Sequence, residues 1–448
     1  MKKTRNINLT EGSIYKGIIA FSIPLLLSNF LQQLYNTADL VIVGRFAGKN
    51  PMAAVGSTGQ ISALLIGLFF GLTTGASVVV SQVYGAKDRK KLEKSITTSY
   101  AIAILGGIIL TIVGILLSPW ILRAVKTPDE IMDMAVSYMR IFFLGMIPLL
   151  VYNMGSGILR SMGDSKRPFN FLLVAAITNI ILDIILVAVF KMSVEGAGWA
   201  TFFAQVISAI LVTYSLIKSD FVRLNLKNIF KIDTDILKEI FNIGIPAGIQ
   251  SAIISFSNVL IQSKINEFGA DVIAAYSAGG RIDNFIYMGI VSVALSATTF
   301  TGQNIGSRNY NRVRQGTKVS IIIGVAVSLS LSLFTFVFAD PLIKLFNKDP
   351  YVVEVGKIYI RILCTTYFIF SMSEVLGGVI RGAGFAMAPM LISIVFMCGA
   401  RMIWIYIVLK MIYRVEIIFM AWPVTWVLAF IANYFYYKFG KWRRLLPI

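Results

Sequence analysis

The sequence predicts an all-α polytopic membrane protein with twelve transmembrane helices in two pseudo-symmetric six-helix bundles, built as a parallel repeat. Three observations carry this expectation. The 448-residue chain is 57% hydrophobic and only 14% charged, with a mean hydropathy of +0.77. Its apolar runs are each long enough to cross a bilayer, which takes about 20 residues, and short charged connectors separate them. The two halves also match each other at an offset of 221 or 222 residues. Pro24 meets Pro246, Gln82-x-x-Gly85 meets Gln303-x-x-Gly306, and Arg140 meets Arg361. Gly157-x-x-Arg160-x-x-Gly163 meets Gly378-x-x-Arg381-x-x-Gly384, and Pro168 meets Pro389. Hydrophobicity alone does not produce matches of Gly, Pro and Arg at one offset. Six spans per half is an even number, so the repeats share an orientation and an axis along the membrane normal relates them.

The first span, 14–44, is the most unusual. Between Lys16 and Arg45 its only charged residue is Asp39, preceded by Pro24 and by the polar run Gln32, Gln33, Tyr35, Asn36 and Thr37. A carboxylate within a spanning helix costs at least ~2.5–3.5 kcal/mol on insertion scales, which makes Asp39 a functional candidate. The plain alternative is an acid at the membrane interface. Asp39 lies roughly 9 Å along the helix from Arg45, however, which keeps it within the apolar slab. The remaining spans are read at 54–83, 96–119, 135–160, 166–190, 196–218, 237–262, 273–303, 317–340, 355–381, 388–411 and 416–439. Residues 1–10 are polar and basic, and the first apolar run is too long for a signal h-region, so no cleavable signal is expected. The expected lobes are residues 1–217 and 239–448, joined by a polar, basic linker at 218–238.

The net charge of +19 follows the positive-inside rule. Lys87-Asp88-Arg89-Lys90-Lys91, Arg308 to Lys318, the 218–238 linker and Lys441-Trp442-Arg443-Arg444 fall on one side. Asp129, Glu130, Asp133, Glu267 and Asp271 fall on the other. Both termini are therefore expected in the cytoplasm of a multi-pass cell-membrane protein, with the lipid bilayer rather than nucleic acid as its partner. Cys364 and Cys398 sit inside apolar runs and read as core residues, not as a disulfide framework. The chain has no histidine, so proton chemistry falls to carboxylates. No nucleophile–base pair, metal cluster or phosphate loop is present, which argues against an enzyme and against a bound cofactor.

The repeat breaks where its polar residues lie. Ile261 stands opposite Asp39, Ala400 opposite Asn179, Trp404 opposite Asp183 and Trp422 opposite Thr201. Asn179 and Asp183 are four apart and share a helix face. Asp183, eight residues before Lys191, lies near the depth of Asp39, and Thr201 enters the next span at that depth. Two carboxylates, an amide, a hydroxyl and a backbone carbonyl near Ala197 form a hard-oxygen set suited to Na⁺ or to a shared proton. Taken singly, each is equally readable as polar glue between helices.

Asp39 after a proline-bearing first span, Asn179-x-x-x-Asp183, and Thr201 in Gly198-Trp199-Ala200-Thr201 resemble the multidrug and toxic compound extrusion (MATE) family, in its DinF-like branch. Arg160-Ser161-Met162-Gly163 and Arg381-Gly382-Ala383-Gly384 are similar to that family's loops, and the resemblance covers about residues 14–440. It implies export of cationic or amphipathic small molecules in exchange for Na⁺ or H⁺, by a protein acting as a monomer. It further implies that Asp39, Asn179, Asp183, Thr201 and Ala197 couple the cation and that Tyr35 lines the cavity of the first lobe. Gln33, Asn36 and Asn153 are expected beside Tyr35, with Gln250 and Glu374 lining the second lobe and Pro24 acting as a hinge. The NorM-like branch places acids in the seventh and tenth spans; here the seventh has none before Glu267, whereas the tenth holds Glu374. Glu374 reads either as a substrate-facing or proton-carrying acid, or as the partner of an arginine such as Arg401, with Ser371 and Ser373 placed to solvate it. Two rival functions stay open: a flippase for lipid-linked precursors, which needs basic residues to hold pyrophosphate, and a channel.

Overall fold

The computed structural model describes residues 7–219, 224 and 228–445, so the 218–238 linker lies partly outside the described residues. Among the described residues, twelve helical segments correspond to the expected spans. The first six are α1 (Ile14–Phe46), α2 (Lys49–Gly85), α3 (Arg89–Ala124), α4 (Asp129–Leu144 and Met146–Ser161), α5 (Lys166–Val189) and α6 (Ser193–Ile217). The others are α7 (Thr234–Asn266), α8 (Ala270–Gly306), α9 (Tyr310–Val337), α10 (Pro350–Cys364 and Tyr367–Gly382), α11 (Met387–Met411) and α12 (Val415–Phe439). Nine meet length and hydropathy requirements as single described helices, and the bent pairs α4 and α10, at 45° and 49°, bring the number to eleven. The twelfth, α2, is 37 residues long, far more than the hydrocarbon core needs.

Local chemistry sets the helix ends. Asp88 accepts a hydrogen bond from Lys91 N (3.0 Å) at the start of α3, and Asp349 accepts from Tyr351 N and Val352 N at the start of α10. Each is an N-cap that satisfies donors the helix leaves unpaired. The paired Arg-x-x-Gly motifs end α4 and α10 in the same way. Gly163 and Gly384 take φ of +87° and +97°, the left-handed conformation that glycine adopts without strain. A Cβ on Gly163 would also lie 2.3 Å from the carbonyl oxygen of Ile7.

The chain forms two compact units, and they do not divide at the 218–238 linker. One comprises Leu27–Gly244 together with Ile7; the other comprises Asn8–Leu26 and the chain from Ile245 onward. Apart from the step between Ile7 and Asn8, the divisions fall beside the proline inside a repeat's first helix, Pro24 in α1 and Pro246 in α7. A proline removes one i→i−4 hydrogen bond, so each helix is weakest where its two parts join different units. In the first unit the start of α7 packs on α2 at a glycine crossing, where a Cβ on Gly75 would lie 2.4 Å from Ile240 O. In the second unit the equivalent place holds Ser22 and Ser296, whose hydroxyls hydrogen-bond at 2.7 Å.

Each unit has its own core. Val43, Ala54, Leu122, Tyr138, Phe143, Val187 and Ala197 belong to the core of the first. The second is heavily aromatic, with Tyr359, Tyr367, Phe370, Phe419, Trp422 and Trp426 in contact. Two spans contain π-helical segments: Ile184–Val189 directly follows Asp183 in α5, and Ser393–Ala400 directly precedes Arg401 in α11. Such segments break the regular ladder and are frequent at functional positions.

Candidate functional site

In the first unit, α1, α5 and α6 bring together the four polar residues that the second half of the repeat lacks. Asp39, Asn179 and Asp183 are buried, Asp183 completely. The carboxyl groups of Asp39 and Asp183 face each other within hydrogen-bonding range, and Asn179 Nδ2 donates to Thr201 Oγ1 at 3.4 Å. No donor among the described residues reaches Asp39 Oδ1, either oxygen of Asp183, or Asn179 Oδ1. Four unsatisfied buried acceptors around a pair of carboxylates are costly unless a proton or a cation joins them. The donor set is all hard oxygen, which fits Na⁺ as well as a shared proton. Ala197 lies one turn before Thr201 and is fully buried in the same core.

Tyr138 of α4 is the residue that sequence reasoning missed. It is buried and within electrostatic reach of both Asp39 and Asp183. The signal was present in the repeat, since Tyr138-Met139-Arg140 meets Tyr359-Ile360-Arg361 at the offset that aligns the arginines.

A cavity opens beside the cluster. Gln32, Tyr35, Tyr152, Asn153, Gln205 and Ser208 supply polar wall, while Asn179 and Thr201 belong to both cavity and cluster. Tyr35 and Asn153 are among its lining residues. Gln33 and Asn36 are not among its lining residues: Gln33 stands about 100° round the helix from Gln32, and Asn36, only about 40° from Gln32 but about 100° from Tyr35, lies at the far edge of that face. Asn36 is exposed, and the backbone carbonyl of Gln33 accepts from Thr37 Oγ1 at 2.8 Å.

The second-unit candidates form a separate network. Glu374 pairs with Arg381 at 3.7 Å, not with Arg401, because seven residues place the two on one helix face. Arg381 NH1 also donates to Gln250 Oε1 (3.2 Å), and Gln250 Nε2 donates to Ser393 Oγ (2.8 Å). Gln250 is buried and committed to these partners, which leaves it no role as a free cavity wall. Ser371 and Ser373 do not solvate Glu374: both are buried, and Ser373 Oγ accepts from Asn433 Nδ2 at 3.0 Å.

Comparison with known proteins locates this arrangement. The MatE family model matches residues 24–185 and again 246–407, one match per half of the repeat. The chain is 28% identical over 449 residues to the probable multidrug resistance protein YpnP of Bacillus subtilis (strain 168), covering 98% of each. It is 26% identical over 444 residues to the probable multidrug resistance protein YoeA of the same organism, covering 97% of this chain and 96% of that one. Among solved structures, an outward-facing multidrug resistance MATE family transporter of the MOP superfamily superposes with a TM-score of 0.92 at 24% identity, over 99% of each chain. A MOP superfamily transporter from Pyrococcus furiosus Vc1 (DSM3638), described as having a binding pocket of reversed polarity, superposes with a TM-score of 0.92 at 23% identity over the whole of both chains.

Proposed function

The chain belongs to the MatE family, and on that premise we propose that it is a secondary-active exporter of cationic or amphipathic small molecules, driven by exchange for Na⁺ or H⁺. One observation carries the reading: Asn179 and Thr201, which belong to the cluster around the donor-poor carboxylate pair, also form part of the wall of the cavity. A cation or proton bound between Asp39 and Asp183 discharges that wall, and an empty cluster favours a cationic guest. Ion and guest therefore compete through two shared residues, and alternating access converts the competition into exchange. Pro24 gives α1 a place to bend as the cluster loads. The lining of the cavity holds no Lys or Arg among the described residues, which favours a cationic guest over a pyrophosphate-bearing lipid.

The test is efflux of a fluorescent cationic dye from proteoliposomes with the Na⁺ and proton gradients imposed one at a time. Efflux that follows one gradient and saturates supports an exchanger. Equal flux with neither gradient contradicts exchange and favours a channel.

Two further results are expected. The Lys/Arg asymmetry supports a cytoplasmic position for both termini and the linker, so a single cysteine at Lys90 should react with an impermeant thiol reagent only from inside, and one at Asn50 only from outside. Reversed labelling overturns this topology. Glu374→Gln should alter which dyes are exported while leaving ion dependence in place, because its ion pair with Arg381 belongs to the other unit. Loss of ion-dependent export for every dye would instead place coupling in the second unit.

A further inference from the structure

The second unit holds a buried arginine, Arg401, beside the positions that the repeat offset matches to the Asp39–Asp183 cluster. At the repeat offset Tyr359 stands where Tyr138 stands, and Trp422 where Thr201 stands, while Arg401 is one residue past the counterpart of Asn179. A π-helical segment adjoins Asp183 in one repeat and Arg401 in the other. The acids have gone, replaced by Ile261 and Trp404.

Arg401 is 3% exposed. Its Nε and one terminal nitrogen donate to Thr425 Oγ1 at 3.3 and 3.1 Å, and its guanidinium carbon lies 5.3 Å from the centre of the Trp422 ring. Tyr276 and Tyr359 stand within its electrostatic reach and pack edge-to-face at 5.3 Å. Tyr359 OH in turn donates to Asp283 Oδ2 at 3.3 Å, which joins a carboxylate to the tyrosine beside Arg401. No carboxylate pairs with Arg401 among the described residues, whereas Glu374, Asp340 and Glu416 all have basic partners. A buried guanidinium held by a hydroxyl and the face of Trp422, with two tyrosines nearby, resembles the aromatic sites that hold organic cations.

We propose that Arg401 is a tethered cation that permanently occupies the second unit's copy of the cation site, leaving only the Asp39–Asp183 cluster free to exchange. Arg401 is then a positioning residue that limits the protein to one exchangeable cation site. The restriction to one site rests on the coupling reading above, but the occupancy of the cage by Arg401 does not.

The experiment separates charge from packing. Arg401→Ala empties the cage and should lower the melting temperature of the purified full-length protein and its dye efflux. Millimolar ethylguanidinium should restore most of both losses, and neutral ethylurea of the same shape should restore neither. Arg401→Lys, which keeps a cation, should stay near wild type, and Arg401→Met, which keeps the bulk alone, should not. Should Arg401→Ala fail to fold, the comparison of Lys with Met decides the matter. Rescue by ethylurea equal to that by ethylguanidinium, or an Arg401→Met protein with wild-type melting and efflux, would overturn the proposal. Melting rescue should persist in an Asp183→Asn background, so a failure of the coupling reading leaves this test intact.

Discussion

Asp183→Asn is expected to abolish gradient-driven efflux, reducing dye transport in proteoliposomes to the leak of empty vesicles, and Asp39→Asn is expected to do the same. Asparagine keeps the shape of the side chain but supplies its own N–H donors. The opposing carboxylate, of which Asp39 Oδ1 or both oxygens of Asp183 receive no donor among the described residues, then has one. The pair no longer needs an external cation, so the exchangeable charge disappears while the fold stays. Removing the repulsion between two buried acids is neutral or stabilising in ion-free buffer. Melting temperature should therefore hold or rise in these variants, and should no longer increase with the coupling ion as it does when a ligand binds only the native state. Measuring efflux and melting together excludes misfolding as the cause. Should either variant retain full gradient-dependent efflux, that carboxylate is structural.

The second large effect concerns folding. Gly75→Ala should destabilise the protein by ~1–3 kcal/mol through overpacking, although alanine is the better helix former. The added Cβ would lie 2.4 Å from Ile240 O and 2.7 Å from Gly244 N. Both are backbone atoms, so no rotamer change relieves the clash and α2 must move away from α7. Gly56→Ala in the same helix is the control: nothing among the described residues lies within 4 Å of its Cβ. It should be neutral or stabilising by up to ~1 kcal/mol. Thermal melting in detergent checks both, and equal melting of the two variants would show that the crossing is not tight.

The architecture was legible because spans and repeats are written in composition and in Gly, Pro and Arg spacing. The first-lobe cluster was legible because Asp39, Asn179, Asp183 and Thr201 break the repeat at matching depths, and depth along a helix follows directly from residue count. Helical phase was not: Gln32 and Gln33 are adjacent and equally polar, and only the packing of α1 decides which one meets the cavity. Partners chosen across helices were hidden for the same reason. Gln250 bonds Ser393 and Arg381 from distant parts of the chain, and no local pattern announces that. The pairing of Glu374 with Arg381 was within reach of its seven-residue spacing, and Tyr138 within reach of its repeat counterpart. The exchange of segments at Pro24 and Pro246 was not, because a proline marks a weak point in a helix without saying which unit each side joins.

The most direct measurement is equilibrium binding of a fluorescent cationic dye to the purified protein, with Na⁺ and pH varied independently. If Asp39 and Asp183 exchange a cation against the guest, then saturating Na⁺ or acidification should weaken dye binding by about tenfold or more, ~1.4 kcal/mol of coupling. Asp39→Asn and Asp183→Asn should erase that dependence. Dye affinity in the wild-type protein that is unchanged by both Na⁺ and pH would contradict the account.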